Sequence, residues 1–193
     1  MQKTILLATL ALAGIVNAGT TMGTCPAPVL QQNFDAVKYM GLWYEQARDK
    51  TMPWESNDCQ QARYTLNKDG TVGVFNTQYN PATDKVEGAN ATATFNGAQG
   101  SVKFFWYAPA GDYRVLATDY ENYAIVYSCT DLLLAKSEYI WILTRERDAA
   151  EAYIYNALNI LKEKIPEYDQ TYIRRTSHAS TCKYWGDSAV SAQ

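Results

Sequence analysis

Short runs of branched and aromatic residues recur along most of the chain, separated by Asn, Asp, Gly and Pro. Runs of this kind at regular spacing are typical of antiparallel strands joined by tight turns. We predict eight strands, at residues 42–47, 62–66, 72–79, 85–95, 101–107, 113–118, 123–129 and 138–144. Such a series indicates a β-sandwich or a β-barrel, and an eight-stranded barrel can enclose one small ligand.

One amphipathic helix is predicted after the last strand. Its apolar residues recur at helical spacing and form a single stripe, namely Ile154, Ala157, Leu158, Leu161 and Ile165. Asp148 is the predicted N-cap, with Glu151 completing a capping box, and Pro166 ends the helix. We expect the stripe to pack against the strands.

The first 18 residues have the pattern of a signal peptide. Lys3 precedes an apolar run at 5–16, which is too short to span a bilayer, and small residues lead to a predicted cleavage after Ala18. We therefore predict a secreted, extracellular protein with no integral membrane segment. The predicted domain covers 19–185, and a C-terminal tail covers 186–193.

The four cysteines are an even set in a chain predicted to be secreted, so we expect two disulfides, with three possible pairings. The cysteines are too dispersed for a zinc pattern, and His178 is the single histidine, so we predict no metal site. His178 lies in a Ser/Thr-rich segment and is expected to be solvated.

Charge and composition limit the possible partners. The net charge is −3 and no basic patch is visible, so nucleic acid is not an expected partner. Fifteen tyrosines suit strands and a cavity for flat or long apolar molecules. Asn90 begins the one glycosylation sequon, and alternation puts Ala89, Ala91 and Ala93 on the face opposite to Asn90.

Three motifs occur in a fixed order: Gly-Leu-Trp at 41–43, Thr-Asp-Tyr at 118–120, and Arg145 at the end of the last predicted strand. In this combination the chain resembles the lipocalin family, and within it the apolipoprotein D-like branch, over roughly residues 25–182. The resemblance implies an all-β fold with one flanking helix. The barrel would be eight-stranded, antiparallel and up-and-down, with the C-terminal α-helix packed outside.

The resemblance also implies structural roles. Trp43, in the motif that begins at Gly41, would fill the closed end of the barrel, and the Arg145 guanidinium would cover its indole. The implied disulfide pairs are Cys25–Cys129 and Cys59–Cys182.

Candidate ligand contacts follow from the resemblance and from strand alternation. Tyr64 and Phe104 are inward by resemblance, and Trp106 follows Phe104 by alternation. Trp141 shares the face of Arg145. Arg114 and Leu116 match pocket-lining positions of the branch. The alternative is that these side chains simply fill a core.

Arg114 departs from the branch, which has a large aromatic residue at this position. A cation at the rim of an apolar cup would pair with a carboxylate, so one hypothesis is an anionic lipid ligand. The alternative is a solvated arginine at the open end.

The expected function is that of a carrier for a small hydrophobic molecule, such as a fatty acid, sterol, retinoid or similar lipid. No nucleophile elbow is present, and we predict neither catalytic residues nor a cofactor. Two other classes stay open: a carotenoid- or tetrapyrrole-binding lipocalin acting as a pigment or antioxidant in an assembly, and an interaction protein with a filled barrel. Loops 48–58 and 109–112 are expected to gate entry, and the open end is a possible contact with a membrane or receptor.

Overall fold

The computed structural model describes residues 19–187, so the predicted signal peptide and residues 188–193 of the predicted tail lie outside the described residues. Within the described part, the strands are β1 (Thr20–Met22), β2 (Gly41–Asp49), β3 (Gln61–Leu66), β4 (Val72–Asn80), β5 (Lys85–Asn96), β6 (Gln99–Lys103), β7 (Gly111–Thr118), β8 (Tyr123–Leu132), β9 (Ala135–Thr144) and β10 (Ile173–Arg175). The helices are α1 (Ala36–Tyr39) and α2 (Glu151–Lys164), and a 3-10 turn covers Gln170–Tyr172.

Strands β2 to β9 form a closed antiparallel barrel. Each strand pairs with the next in sequence, and β9 returns to pair with β2. β1 adds to β9, and β10 adds to β2. The predicted eight-stranded up-and-down barrel with a helix outside is thus confirmed.

The connections alternate between the two ends of an up-and-down barrel. Loops 50–60, 81–84, 104–110 and 133–134 share one end, which we call the mouth. Turns 67–71, 97–98 and 119–122 share the other end, which we call the base. The start of β2 and the end of β9 also lie at the base.

Alternating side chains supply two separate apolar clusters. The inner cluster fills the barrel and includes Tyr39, Trp43, Tyr64, Val74, Ala93, Val115, Val126 and Leu143. The outer cluster lies between the barrel wall and α2 and includes Leu116, Ile125, Tyr127, Ile140, Ile142, Ile154, Ala157, Leu161 and Ile165. Both faces of β7, β8 and β9 are therefore buried along part of their length.

The apolar stripe of α2 packs as predicted, but its predicted capping box is wrong. Ala150 is the N-cap and makes no side-chain capping bond. Asp148 instead pairs with Arg147 at the surface, and Glu151 binds Arg175 at 2.7 Å. The helix is held by its buried face rather than by its cap.

The structure contains the two disulfides that the resemblance implies, Cys25–Cys129 and Cys59–Cys182. The first ties the segment before α1 to the outside of β8. The second ties the 50–60 loop to the segment that follows β10. Among the described residues, no helix is long and apolar enough to cross a bilayer.

Candidate ligand-binding site

The base of the barrel is sealed by an arginine stacked on a tryptophan. The guanidinium carbon of Arg145 lies 3.7 Å from the centre of the Trp43 ring, a contact typically favourable by about 0.5–2 kcal/mol. Arg145 also donates to the carbonyls of Tyr120 and Leu42 at 2.9 and 2.8 Å. Gly41 has a φ of +101°, and a Cβ there would lie 3.2 Å from Arg145 Nη1, which explains the glycine.

The β7–β8 turn positions one of the carbonyls that Arg145 uses. The Asp119 carboxylate accepts hydrogen bonds from the backbone N–H groups of residues 121–123 at 2.8–3.2 Å. Asp is suited to this turn because its short carboxylate reaches the following backbone. The turn thereby fixes Tyr120, whose carbonyl accepts from Arg145 Nε.

Three tyrosine hydroxyl groups meet above this plug. The Tyr113 hydroxyl lies 2.8 Å from that of Tyr39 and 2.9 Å from that of Tyr64. Burial raises the pKa of Tyr64 to about 12 and holds the pKa values of Tyr39 and Tyr113 well above their ordinary range. All three are neutral at physiological pH and satisfy one another, so this floor of the lumen is mainly aromatic.

Nearer the mouth, the inner wall carries a buried polar group. Glu45 and Arg48 of β2 are paired in register with Leu143 and Trp141 of β9, and paired residues face the same side of a sheet. Arg48 Nη1 lies 2.5 Å from Glu45 Oε1. Glu55 enters from the 50–60 loop, where its Oε2 accepts from Trp141 Nε1 at 3.0 Å and lies 3.9 Å from Arg48 Nε.

One guanidinium therefore serves two carboxylates. Arg48 donates to the backbone carbonyls of Glu55 and Asn57 at 2.6 and 2.8 Å, and to Thr176 Oγ1 at 3.1 Å. Burial, together with the charge of Glu45, raises the pKa of Glu55 to about 8. Glu55 is consequently protonated in much of the population at neutral pH.

Above the tyrosine floor, the lumen is the inner face of the barrel wall, which combines small and larger apolar side chains. Small side chains, Ala62, Ala91 and Ala93, are buried along its wall. Larger inward residues, namely Phe95, Val102, Tyr113 and Trp141, pack on the inner cluster yet stay only partly buried. The barrel is thus a cup sealed at the base by Arg145 and Trp43, and loops rather than paired strands border its mouth.

Residues 34–178 match the family model described as a lipocalin-like domain. The chain belongs to the lipocalin family. Apolipoprotein D of Oryctolagus cuniculus is 41% identical over 155 residues, which cover 76% of this chain and 82% of the relative. The Lazarillo protein of Schistocerca americana is 32% identical over 154 residues, which cover 76% of this chain and 71% of the relative.

Apolipoprotein D of Bos taurus is 42% identical over 149 residues, covering 73% of this chain and 78% of the relative. These relatives place this lipocalin in the apolipoprotein D-like branch. Among solved structures, insecticyanin of the tobacco hornworm superposes with a TM-score of 0.74 at 22% identity, covering 86% of this chain and 93% of the other. Lobster apocrustacyanin A1 superposes with a TM-score of 0.72 at 22% identity, covering 86% of this chain and 95% of the other. Both share the fold.

Two residues predicted to line the lipocalin cup lie on its outside. Arg114 pairs with Asp112 at 2.8 Å and donates to the Pro26 carbonyl at 2.9 Å. Leu116 is buried in the outer cluster beneath α2. The predicted inward orientation is wrong for both, because Tyr113 and Val115 take the inner face of β7. The hypothesis that Arg114 contacts a ligand head group in the lumen is therefore wrong as well.

The predicted inward position of Trp106 is also wrong, because β6 ends at Lys103; Phe104 lies just beyond that end and is 42% exposed. The aromatic run at 104–107 forms part of the β6–β7 loop at the mouth, and Trp106 is 86% exposed. Four consecutive aromatic residues carry no alternation, so the sequence does not mark the end of this strand.

Tyr64 and Trp141 do face the lumen, at the floor and near the mouth respectively. Asn90 is exposed on the outer face of β5, with Ala91 and Ala93 buried inside and Ala89 exposed.

Sequence reasoning missed Tyr113 and Glu55 as lumen residues and misjudged His178. The ring nitrogens of His178 lie 2.7 Å from the Glu45 carbonyl and 2.6 Å from the Tyr184 hydroxyl, so this side chain is not simply solvated. Burial lowers the pKa of His178. The choice of parity on β7 concealed Tyr113, and no local pattern marks Glu55 in its loop.

Proposed function

We propose that this lipocalin is a secreted, non-enzymatic carrier of a small hydrophobic molecule, such as a sterol, retinoid, fatty acid or similar lipid. The observation that carries the proposal is a barrel interior with an aromatic floor and small-residue walls, sealed at the base by Arg145 and Trp43. Removing apolar ligand surface from water is worth about 25 cal/mol per Å², offset by the cost of association. Tyr64 and Trp141 would be among the contacts.

Secretion and glycosylation are part of the same proposal. Two disulfides without a free cysteine in residues 19–187 suit an oxidising compartment. The signal peptide would be cleaved after Ala18. The exposed Asn90 on β5 is accessible to glycosylation, away from the lumen.

Native mass spectrometry of the secreted protein, followed by organic extraction, is expected to show one small apolar molecule bound per chain. Titration with an apolar ligand should also quench tryptophan fluorescence, because Trp141 lies in the lumen. A coloured extract would favour the carotenoid- or tetrapyrrole-binding alternative. An empty protein that shows no quenching with retinoids or fatty acids would contradict the carrier and favour a filled barrel.

The mouth itself offers an apolar surface outside the lumen. Phe105, Trp106 and Tyr107 project from loop 104–110, and Leu133 on the neighbouring loop is 94% exposed. Tryptophan and tyrosine suit the boundary between lipid and water, because each has an apolar body and a polar atom. We propose that the mouth docks on a lipid surface, so that ligand passes between the lumen and that surface.

Replacing Phe105, Trp106 and Tyr107 with serine is expected to lower binding to phosphatidylcholine vesicles by about tenfold or more, because apolar area is lost at the contact. Flotation of the protein with vesicles measures this. Tyr155→Ser on the exposed side of α2 is the control and should bind as the parent does. Equal flotation of the triple variant and its parent would contradict lipid docking and leave a receptor contact as the alternative.

A further inference from the structure

The part of the lumen that holds Glu45, Arg48 and Glu55 is rich in hydrogen-bond acceptors, and we call it the polar end of the lumen. Glu45 and Glu55 bring two carboxyl groups to the inner wall, and Arg48 is the guanidinium between them. The Arg48 side chain is 1% exposed, and its Nη atoms already donate to Glu45, to Thr176 and to two backbone carbonyls. A ligand carboxylate at this point would lie beside the Glu45 carboxylate and find the Nη atoms of Arg48 already bonded.

Glu55 remains within reach of a ligand. Its side chain keeps 15% of its surface exposed, and its Oε2 accepts a hydrogen bond from Trp141. A side-chain hydrogen bond with Glu45 is one cause of its raised pKa, so the proton of neutral Glu55 is engaged with Glu45. A carboxyl group has acceptor capacity beyond one bond. Through its bond to Trp141, Glu55 borders the inner cluster that also contains the tyrosine floor.

Asn76 supplies a second free acceptor on the same wall. It is paired in register with Ala62 on one side and Ala89 on the other, between the inward residues Val74 and Gln78 of β4. Its Oδ1 atom is buried and has no hydrogen-bond partner among the described residues. A buried acceptor without a partner is unfavourable, and a donor on a ligand would satisfy it.

We propose that the lumen selects apolar molecules whose head group donates hydrogen bonds, and disfavours carboxylates, with Glu55 and Asn76 as the residues that decide. The inference rests on the proposed carrier function and names its ligand class. The exposed lysines at the mouth, such as Lys103, would hold a carboxylate only weakly.

An alcohol and an ammonium group share this donor chemistry. An alcohol would donate to Glu55 or Asn76 without change of charge. An ammonium ion would pair with ionised Glu55, and the proton leaving the Glu55 carboxyl would pass to solvent. Glu45, Arg48 and Tyr64 are the charged or titratable groups that face Glu55, and the pair Glu45–Arg48 is already neutral overall. The ammonium ligand is therefore expected to bind most tightly.

Four ligands with the same hexadecyl chain test this: hexadecylamine, hexadecanol, palmitate and methyl palmitate. Dissociation constants would be measured on the full mature protein, below the aggregation limit of each ligand, by quenching of tryptophan fluorescence. The amine or the alcohol should bind about tenfold or more tightly than palmitate, which is about 1.4 kcal/mol. Calorimetry in two buffers of different ionisation enthalpy would show proton release with the amine alone.

Glu55→Gln should reduce the difference between hexadecylamine and palmitate by about tenfold. Asn76→Ala, a second and independent variant, should weaken hexadecanol by about threefold to tenfold relative to methyl palmitate. Glu163→Gln, an exposed carboxyl on α2, is the matched control and should keep the parent order of affinities. The unfolding midpoint of each variant would show that it is folded.

Tighter binding of either donor ligand supports the inference, and the measurement of proton release distinguishes an ammonium head group from an alcohol. Palmitate binding as tightly as both donors, or a preference unchanged in Glu55→Gln and Asn76→Ala, would overturn it. Methyl palmitate keeps this test separate from the carrier proposal. If it binds while head groups make no difference, the carrier stands and the inference fails, whereas if none of the four binds, the carrier itself fails.

Discussion

Trp43→Ala is expected to lower the free energy of unfolding by about 3–5 kcal/mol. Trp43 has no exposed surface, its Nε1 donates to the Tyr39 carbonyl at 2.9 Å, and Arg145 stacks on its ring. The substitution removes a large buried side chain that seals the base of the barrel. It also leaves the buried part of the Arg145 guanidinium without its aromatic partner.

Urea unfolding followed by circular dichroism would measure this loss. Trp106→Ala makes the same chemical change at an exposed position and should alter stability by less than about 0.5 kcal/mol. A double-mutant cycle with Arg145→Met would isolate the stacking, at about 0.5–2 kcal/mol. If Trp43→Ala and Trp106→Ala were equally mild, Trp43 would not be the residue that closes the barrel.

This plug was predictable because the order and type of its motifs resemble those of the lipocalin family. A glycine with a positive φ, a tryptophan two residues later and an arginine at the end of the last barrel strand each leave a readable mark. The strand order was predictable because Asn, Asp, Gly or Pro lies between most consecutive barrel strands; Leu133 and Leu134, which join β8 to β9, are the exception. Each motif and each turn is short enough to be recognised in the sequence, although Arg145 lies far along the chain from Trp43.

The orientation of β7 was not predictable from alternation. Tyr113 and Val115 pack inside the barrel, while Leu116 packs outside beneath α2. Both faces are apolar where a helix covers the barrel, so a period of two marks a strand without telling which face is inward. The pairing with β8 also shifts between Val115 and Ala117, which further weakens any extrapolation along the strand.

The polar end of the lumen was out of reach for a different reason. Glu55 meets Trp141 across 86 residues of sequence, and its own loop has no periodic pattern. Thr176 joins Arg48 from a segment beyond the helix. Groups assembled from a loop, two barrel strands and the C-terminal segment depend on closure of the barrel, which local sequence does not encode.

Removal of the Cys59–Cys182 bridge, as Cys59→Ala with Cys182→Ala, is expected to cost about 2–5 kcal/mol of stability and also to loosen the polar end of the lumen. The bridge spans 123 residues, and the segment it anchors adds β10 to β2. That segment donates a backbone N–H from Thr176 to the Gln46 carbonyl at 3.0 Å. It also carries the Thr176 hydroxyl that bonds to Arg48.

Removal of the Cys25–Cys129 bridge provides the matched comparison. Its sequence separation of 104 residues predicts a similar loss of stability, but it lies on the outer face of β8, away from Glu55. Hydrogen exchange should therefore show faster exchange in loop 50–60 only when Cys59–Cys182 is removed. The affinity for hexadecylamine should likewise change only in that variant. If the two double variants loosened that loop equally, the effect would reflect global stability, and the C-terminal segment would not be a specific support for the ligand site.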